Sequence, residues 1–158
     1  MRVSPFVAWR GRVARDGKTQ IPDRVTFPLF FNDTLPVSFM KSMLIIDRSE
    51  IITTVFSELF ERPGWNVDVC SDRQCALERL TGDWPYDAII AGQLRETSEV
   101  ELVGMIRGFD HRRTAAVVVV LERAATGNEL LSTGADEVLL KPVNPRLLMW
   151  AVDRHVNR

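Results

Sequence analysis

The chain has 158 residues, 46% of them hydrophobic, which suits one domain of ordinary size whose core holds together without disulfides. Its 20 basic and 21 acidic residues leave a net charge of −1, so no global field draws it onto nucleic acid or an anionic membrane surface. Two histidines and two cysteines are too few, and wrongly spaced, for a zinc site, and neither a metal nor a cofactor is expected.

Charge is unevenly distributed. Residues 1–40 carry six basic residues (Arg2, Arg10, Arg12, Arg15, Lys18, Arg24) and three acidic ones (Asp16, Asp23, Asp33), a net of +3 that leaves −4 for 41–158. The same stretch holds four of the eight prolines and no sustained periodicity of 2 or 3.6, so it is read as a leader and 41–158 as the packed domain. Three readings of the leader stand: a disordered basic arm, a strap whose Phe27, Leu29, Phe30 and Phe31 dock on the domain, or sequence upstream of a natural start at Met40 or Met43. Trp9, Arg10 and Arg12 come before any apolar stretch develops, so no secretory signal is expected and the protein is predicted to be cytoplasmic.

From Met43 the punctuation becomes regular. An apolar run ending in an acid predicts a buried strand at 43–47. Ser49 caps a helix carrying Ile52, Val55, Phe56 and Leu59 at helical spacing, stopped by Pro63-Gly64. A second strand is predicted at 65–70 and a helix at 72–80 closed by Gly82, with Cys70 and Cys75 as reduced core residues. A third strand at 87–91 precedes Ser98 and Glu101, whose capping-box spacing opens a helix ending near Gly108. His111-Arg112-Arg113 is read as a solvated basic turn. The fourth strand, 115–121, is the longest apolar run and far short of the roughly 20 residues that cross a bilayer. Thr126 and Glu129 repeat the capping-box spacing on a short helix ending at Gly134, 137–141 is a fifth strand, and Asn144-Pro145 starts the last helix. Strands too continuously apolar for a one-faced sheet, alternating with helices, predict a parallel sheet covered on both faces.

In such a sheet the functional crevice lies beyond the carboxyl ends of the strands, which selects Asp47, Arg48, Gly92, Glu122 and Lys141. Leu-Ile-Ile-Asp47, Tyr86-Asp-Ala-Ile-Ile-Ala-Gly92 and Gly134-Ala-Asp-Glu-Val-Leu-Leu-Lys141-Pro142, in this order and spacing, resemble the receiver domain of two-component response regulators. The resemblance covers 43–158. It implies a flavodoxin-like, doubly wound five-stranded parallel sheet of strand order 2-1-3-4-5, a cis bond before Pro142, and a role in bacterial signal transduction.

It also implies departures from the family pattern. Gly92 stands where the family carries its phosphoacceptor aspartate, Arg48 where it carries the second acid of the magnesium-holding pair, Glu122 at the place of the phosphoryl-sensing serine or threonine, and Val138 at the aromatic switch position. Losing two carboxylates and gaining a guanidinium removes a magnesium site, and phosphoryl transfer depends on that charge neutralisation. Asp47 and Glu122 balance Arg48 and Lys141, so an internal ion cluster of these four is expected; the alternative is that Arg48 or Glu122 points to solvent.

The resulting expectation is a non-phosphorylatable pseudo-receiver, not an enzyme, acting as a protein-interaction module. The alternative is an anion or small-ligand binder using Arg48, Lys141 and the space at Gly92. On the last helix, Leu148, Ala151, Val152 and His155 fall on one side, and Trp150 falls opposite with Arg146, Asp153 and Arg154. Arg146, Trp150 and Arg154 are therefore the expected partner-binding residues, for a signalling protein or a second copy. In the family resembled, the face of the fourth helix, fifth strand and fifth helix is the usual docking surface. The alternatives are that Trp150 lies flat against the fourth helix or beneath 27–31.

Overall fold

Residues 40–157 are described by the computed structural model, and the expectations placed on 1–39 fall outside the described residues. Five short strands, β1 (Ser42–Ile46), β2 (Asn66–Cys70), β3 (Ala88–Ala91), β4 (Ala116–Leu121) and β5 (Glu137–Leu140), pair in parallel in the order β2-β1-β3-β4-β5. Side chains alternate across the sheet, so consecutive apolar residues feed two cores. Leu44, Ile46, Ile89, Ala91, Val117, Val119 and Leu121 pack on one face; Met43, Ile45, Ala88, Ile90, Ala116, Val118 and Val120 pack on the other.

Helices α1 (Glu50–Glu61) and α5 (Pro145–Val156) cover the second face through Phe56, Phe60, Leu148, Ala151 and Val152. Helices α2 (Arg73–Thr81), α3 (Glu99–Gly108) and α4 (Gly127–Thr133) cover the first through Ala76, Leu80, Leu102, Val103, Ile106 and Leu130. Their starts follow local chemistry. Ser49 and Asp72 accept from Ile52 and Cys75 N–H, Asn144 accepts from Arg146 N–H ahead of Pro145, and Ser98 and Glu101 close a capping box. The bonds from Ser98 hold the Glu101 carboxyl below its ordinary pKa. No described helix is long and apolar enough to cross a membrane.

Three expectations are corrected. Thr126 makes no capping hydrogen bond, because a 3-10 turn over Ala124–Thr126 leads directly into α4. Cys70 and Cys75 are not reduced: they form a disulfide, the first turn of α2 bringing Cys75 back over the end of β2 with 5.5 Å between the Cα atoms. Arg112 is not a solvated loop residue, since its side chain is wholly buried.

Candidate functional site

The strand order reverses between β1 and β3, and backbone hydrogen bonds there tie the loops beyond the strand ends. Gly92 N–H donates to Ile46 O at 2.6 Å and Arg48 N–H to Gln93 O at 2.8 Å. Asp47, 2% exposed, lies at the centre. Its Oδ1 accepts from Ser49 N–H at 2.8 Å; its Oδ2 accepts from Lys141 Nζ at 3.2 Å and Gln93 N–H at 3.4 Å. The Lys141–Pro142 bond is cis.

Gly92 faces this carboxylate directly. A Cβ built on Gly92 would run into Asp47 Oδ2 and stand 2.8 Å from its Cγ. The carboxylate of Asp47 therefore fills the space where a side chain at 92 would begin, with the Lys141 ammonium against it. The pair is neutral, and its burial is offset by the two backbone donors.

The four-residue ion cluster does not form. Of these four only Asp47 and Lys141 pair; Arg48 and Glu122 are exposed and make no ion pair with another described residue. The physical reason is that Arg48 and Glu122 lie in the loops beyond the ends of β1 and β4, past the two cores that bury the strand residues. The free space expected at Gly92 is likewise taken by Asp47. A divalent cation of the kind the family uses does not fit this donor set. Asp47 supplies one carboxylate whose oxygens already accept from an ammonium and two amides, Arg48 beside it is a cation, and Gly92 has no side chain to donate.

Val138 lies away from this centre, half-buried against the face covered by α2, α3 and α4. Arg146 and Trp150 are exposed on α5, and the Arg154 guanidinium stacks 5.0 Å from the Trp150 ring, which stays 50% exposed. Trp150 thus keeps half of its surface exposed with Arg154 over its ring, and its coverage by 27–31 falls outside the described residues. Leu148, Ala151 and Val152 are buried, and His155 meets Glu137 Oε2 at 2.9 Å.

Sequence reasoning missed several groups. The Ser49 and Gln93 donors are backbone amides and leave no residue-type signal. Arg73, the first residue of α2, reaches Thr97 Oγ1 at 3.1 Å, tying the start of that helix to the loop after β3. Arg112 donates to the carbonyls of Leu80 (3.1 Å), Arg79 (2.9 Å), Gly82 (2.7 Å) and Trp84, plugging the carboxyl end of α2. Beneath it lies the Tyr86 ring at 5.0 Å, whose hydroxyl donates to Asp68 Oδ2 at 2.6 Å. Burial, reinforced by Asp68, pushes the Tyr86 phenol far above its ordinary pKa, and burial pulls that of Arg112 down.

A doubly wound parallel sheet of this order, with an aspartate just past β1 and a lysine before a cis-proline just past β5, defines a flavodoxin-like domain. The family model for the response regulator receiver domain matches residues 43–153, and the chain belongs to that family. Its structure is similar to a CheY-like receiver domain protein of Methanospirillum hungatei JF-1 (22% identity, TM-score 0.68, covering 75% of this chain and 94% of that one). It is also similar to the chemotaxis response regulator CheY4 of Vibrio cholerae (22%, 0.67, 73% and 98%). A third similar structure is the receiver domain of a Pseudomonas aeruginosa PAO1 sensor histidine kinase, with magnesium coordinated in its active-site cleft (20%, 0.67, 75% and 99%). No curated protein matches the chain. The domain is a receiver domain of two-component signalling.

Proposed function

We propose that this receiver is a pseudo-receiver: it takes no phosphoryl group and signals from the cytoplasm as a protein-interaction module. The observation that carries this reading is the Asp47 carboxylate, which occupies the space at position 92 and is paired with the Lys141 ammonium. Phosphoryl transfer to a receiver needs a nucleophile at the end of β3 and a cation to offset the incoming charge. Gly92 provides no nucleophile, and the donors around Asp47 suit a cation poorly. The full chain incubated with acetyl phosphate and magnesium is expected to show no gain in mass, and magnesium is expected to leave its thermal midpoint unchanged. A stable phosphorylated product would overturn the reading. The anion-binding alternative relies on space at Gly92 that the Asp47 carboxylate takes, and a midpoint raised by inorganic phosphate would revive it.

The surface offered to a partner is the one around Trp150. Leu131 of α4, Leu140 of β5, and Leu147 and Trp150 of α5 are each 45–50% exposed, with Arg146 and Arg154 beside the tryptophan. An exposed apolar set centred on tryptophan and arginine has the composition of an interface hot spot. Trp150→Ala is expected to weaken self-association, or binding of a signalling partner, about 30-fold (~2 kcal/mol) while changing folding stability by less than about 0.5 kcal/mol. Sedimentation equilibrium and thermal melts of the two proteins check this. A steep fall in midpoint with association intact would place the interface elsewhere.

A further inference from the structure

The disulfide lies at the rim of the crevice. Cys70 ends β2, and its carbonyl accepts the N–H of Asp47 at 3.0 Å. Cys75 is the third residue of α2, its own N–H held by the Asp72 cap at 2.7 Å. Between them run the turn and the start of α2, from whose first residue, Arg73, a hydrogen bond reaches Thr97. We propose that Cys70 and Cys75 form a reversible thiol–disulfide pair, with Cys75 the sulfur open to exchange, and that its redox state sets the stiffness of the β2–α2 turn.

Three observations carry this. The bridge spans only five positions, so it removes little chain entropy, and two continuous cores already hold the sheet. A short clamp of this kind acts locally. The two sulfurs also differ in access, because Cys70 is 1% exposed within the core whereas Cys75 is half-buried. Finally, Cys75 sits in the first turn of a nine-residue helix, at the positive end of its dipole, which favours a thiolate.

The exchange balances with a dithiol as reductant. One thiolate of the dithiol attacks Cys75 Sγ, the S–S bond breaks, and Cys70 leaves as a thiolate that takes a proton. The second thiolate of the dithiol then attacks its own mixed disulfide, releasing Cys75 and carrying away the two-electron oxidised ring. In reverse, the Cys75 thiolate opens an oxidised dithiol and Cys70 displaces it, and the two protons end on the departing thiols. Closing the bridge pins Ser71, Asp72 and Arg73 between Asp47 and Thr97; opening it releases them.

The test uses the full chain equilibrated in mixtures of reduced and oxidised dithiothreitol, quenched by alkylation and read by intact mass. A single two-electron transition is expected, with both forms folded and the midpoint of the reduced form lowered by no more than about 10 °C. Hydrogen exchange at 71–76, at 94–98 and at the Asp47 amide is expected to be on the order of tenfold faster in the reduced form, with β3 and β4 unchanged. Cys75→Ser should match the reduced form in every buffer. Global unfolding on reduction would make the bridge a structural staple, failure to close in oxidised buffer would remove the pair, and identical exchange in both states would make it silent. Any of these overturns the proposal. Neither readout involves phosphoryl transfer or a partner, so the outcome is independent of the pseudo-receiver reading.

Discussion

Replacing Arg112 with methionine is expected to remove about 3–5 kcal/mol of folding stability, a large share of the roughly 5–15 kcal/mol that a domain possesses. Methionine keeps much of the volume and supplies no donor, so the carbonyls of Arg79, Leu80, Gly82 and Trp84 lose the fork that converges on them. His111 retains contact with Leu80 and Gly82 through Nε2, which leaves the carbonyls of Arg79 and Trp84 most affected. The stacking contact with Tyr86 is lost as well. Lysine in the same place keeps the charge but presents a point ammonium rather than a planar fork, and is expected to cost about 2 kcal/mol. Urea unfolding decides the matter through the shift in transition midpoint at constant slope. A methionine variant within about 1 kcal/mol of the parent would show that the carbonyls are satisfied without the guanidinium.

Arg112 also marks where sequence reading stops. The elements themselves were legible, because Ser49, Asp72, Ser98 and Asn144 announce helix starts and apolar runs of four to six residues announce strands. The pairing order was not a matter of periodicity and came from the resemblance. Asp47 and Lys141 were found as neighbours, since strand ends in a parallel sheet converge whatever the loops do. Their companions were misjudged because a charge count carries no direction. Arg48 and Glu122 stand one step past the buried strand ends, in loops that leave them exposed. In Arg112 the reverse holds: a basic triplet before a strand reads as solvated, and only the assembled fold shows the end of α2 directing carbonyls at it. Cys75 lies back over Cys70 because one helical turn follows the strand end, a proximity that a count of cysteines does not reveal.

Because Asp47 holds the space at position 92, a side chain introduced there must displace its carboxylate. Gly92 has no left-handed backbone, so any cost of substitution there comes from the side chain alone. Gly92→Ala places a Cβ against Asp47 Oδ2 and is expected to cost about 1–3 kcal/mol, as the carboxylate turns away from Lys141 and Gln93. Gly92→Asp adds a second carboxylate to a site holding one ammonium, and each unit by which crowding raises a carboxyl pKa contributes about 1.4 kcal/mol. Because the new carboxyl has a folded pKa above its unfolded value of about 3.9, its penalty is absent below that pH and grows as pH rises toward neutrality. Asp47→Ala alone leaves Lys141 unpaired. Combined with Gly92→Asp, however, it vacates the space and lets the new carboxylate take the ammonium. The double variant is therefore expected to be more stable than Gly92→Asp by about 1–3 kcal/mol, a strong coupling between two individually harmful changes. Urea unfolding of the four proteins at pH 4 and pH 7 measures this coupling. Additive losses, the same at both pH values, would mean that the two positions do not share one carboxylate site.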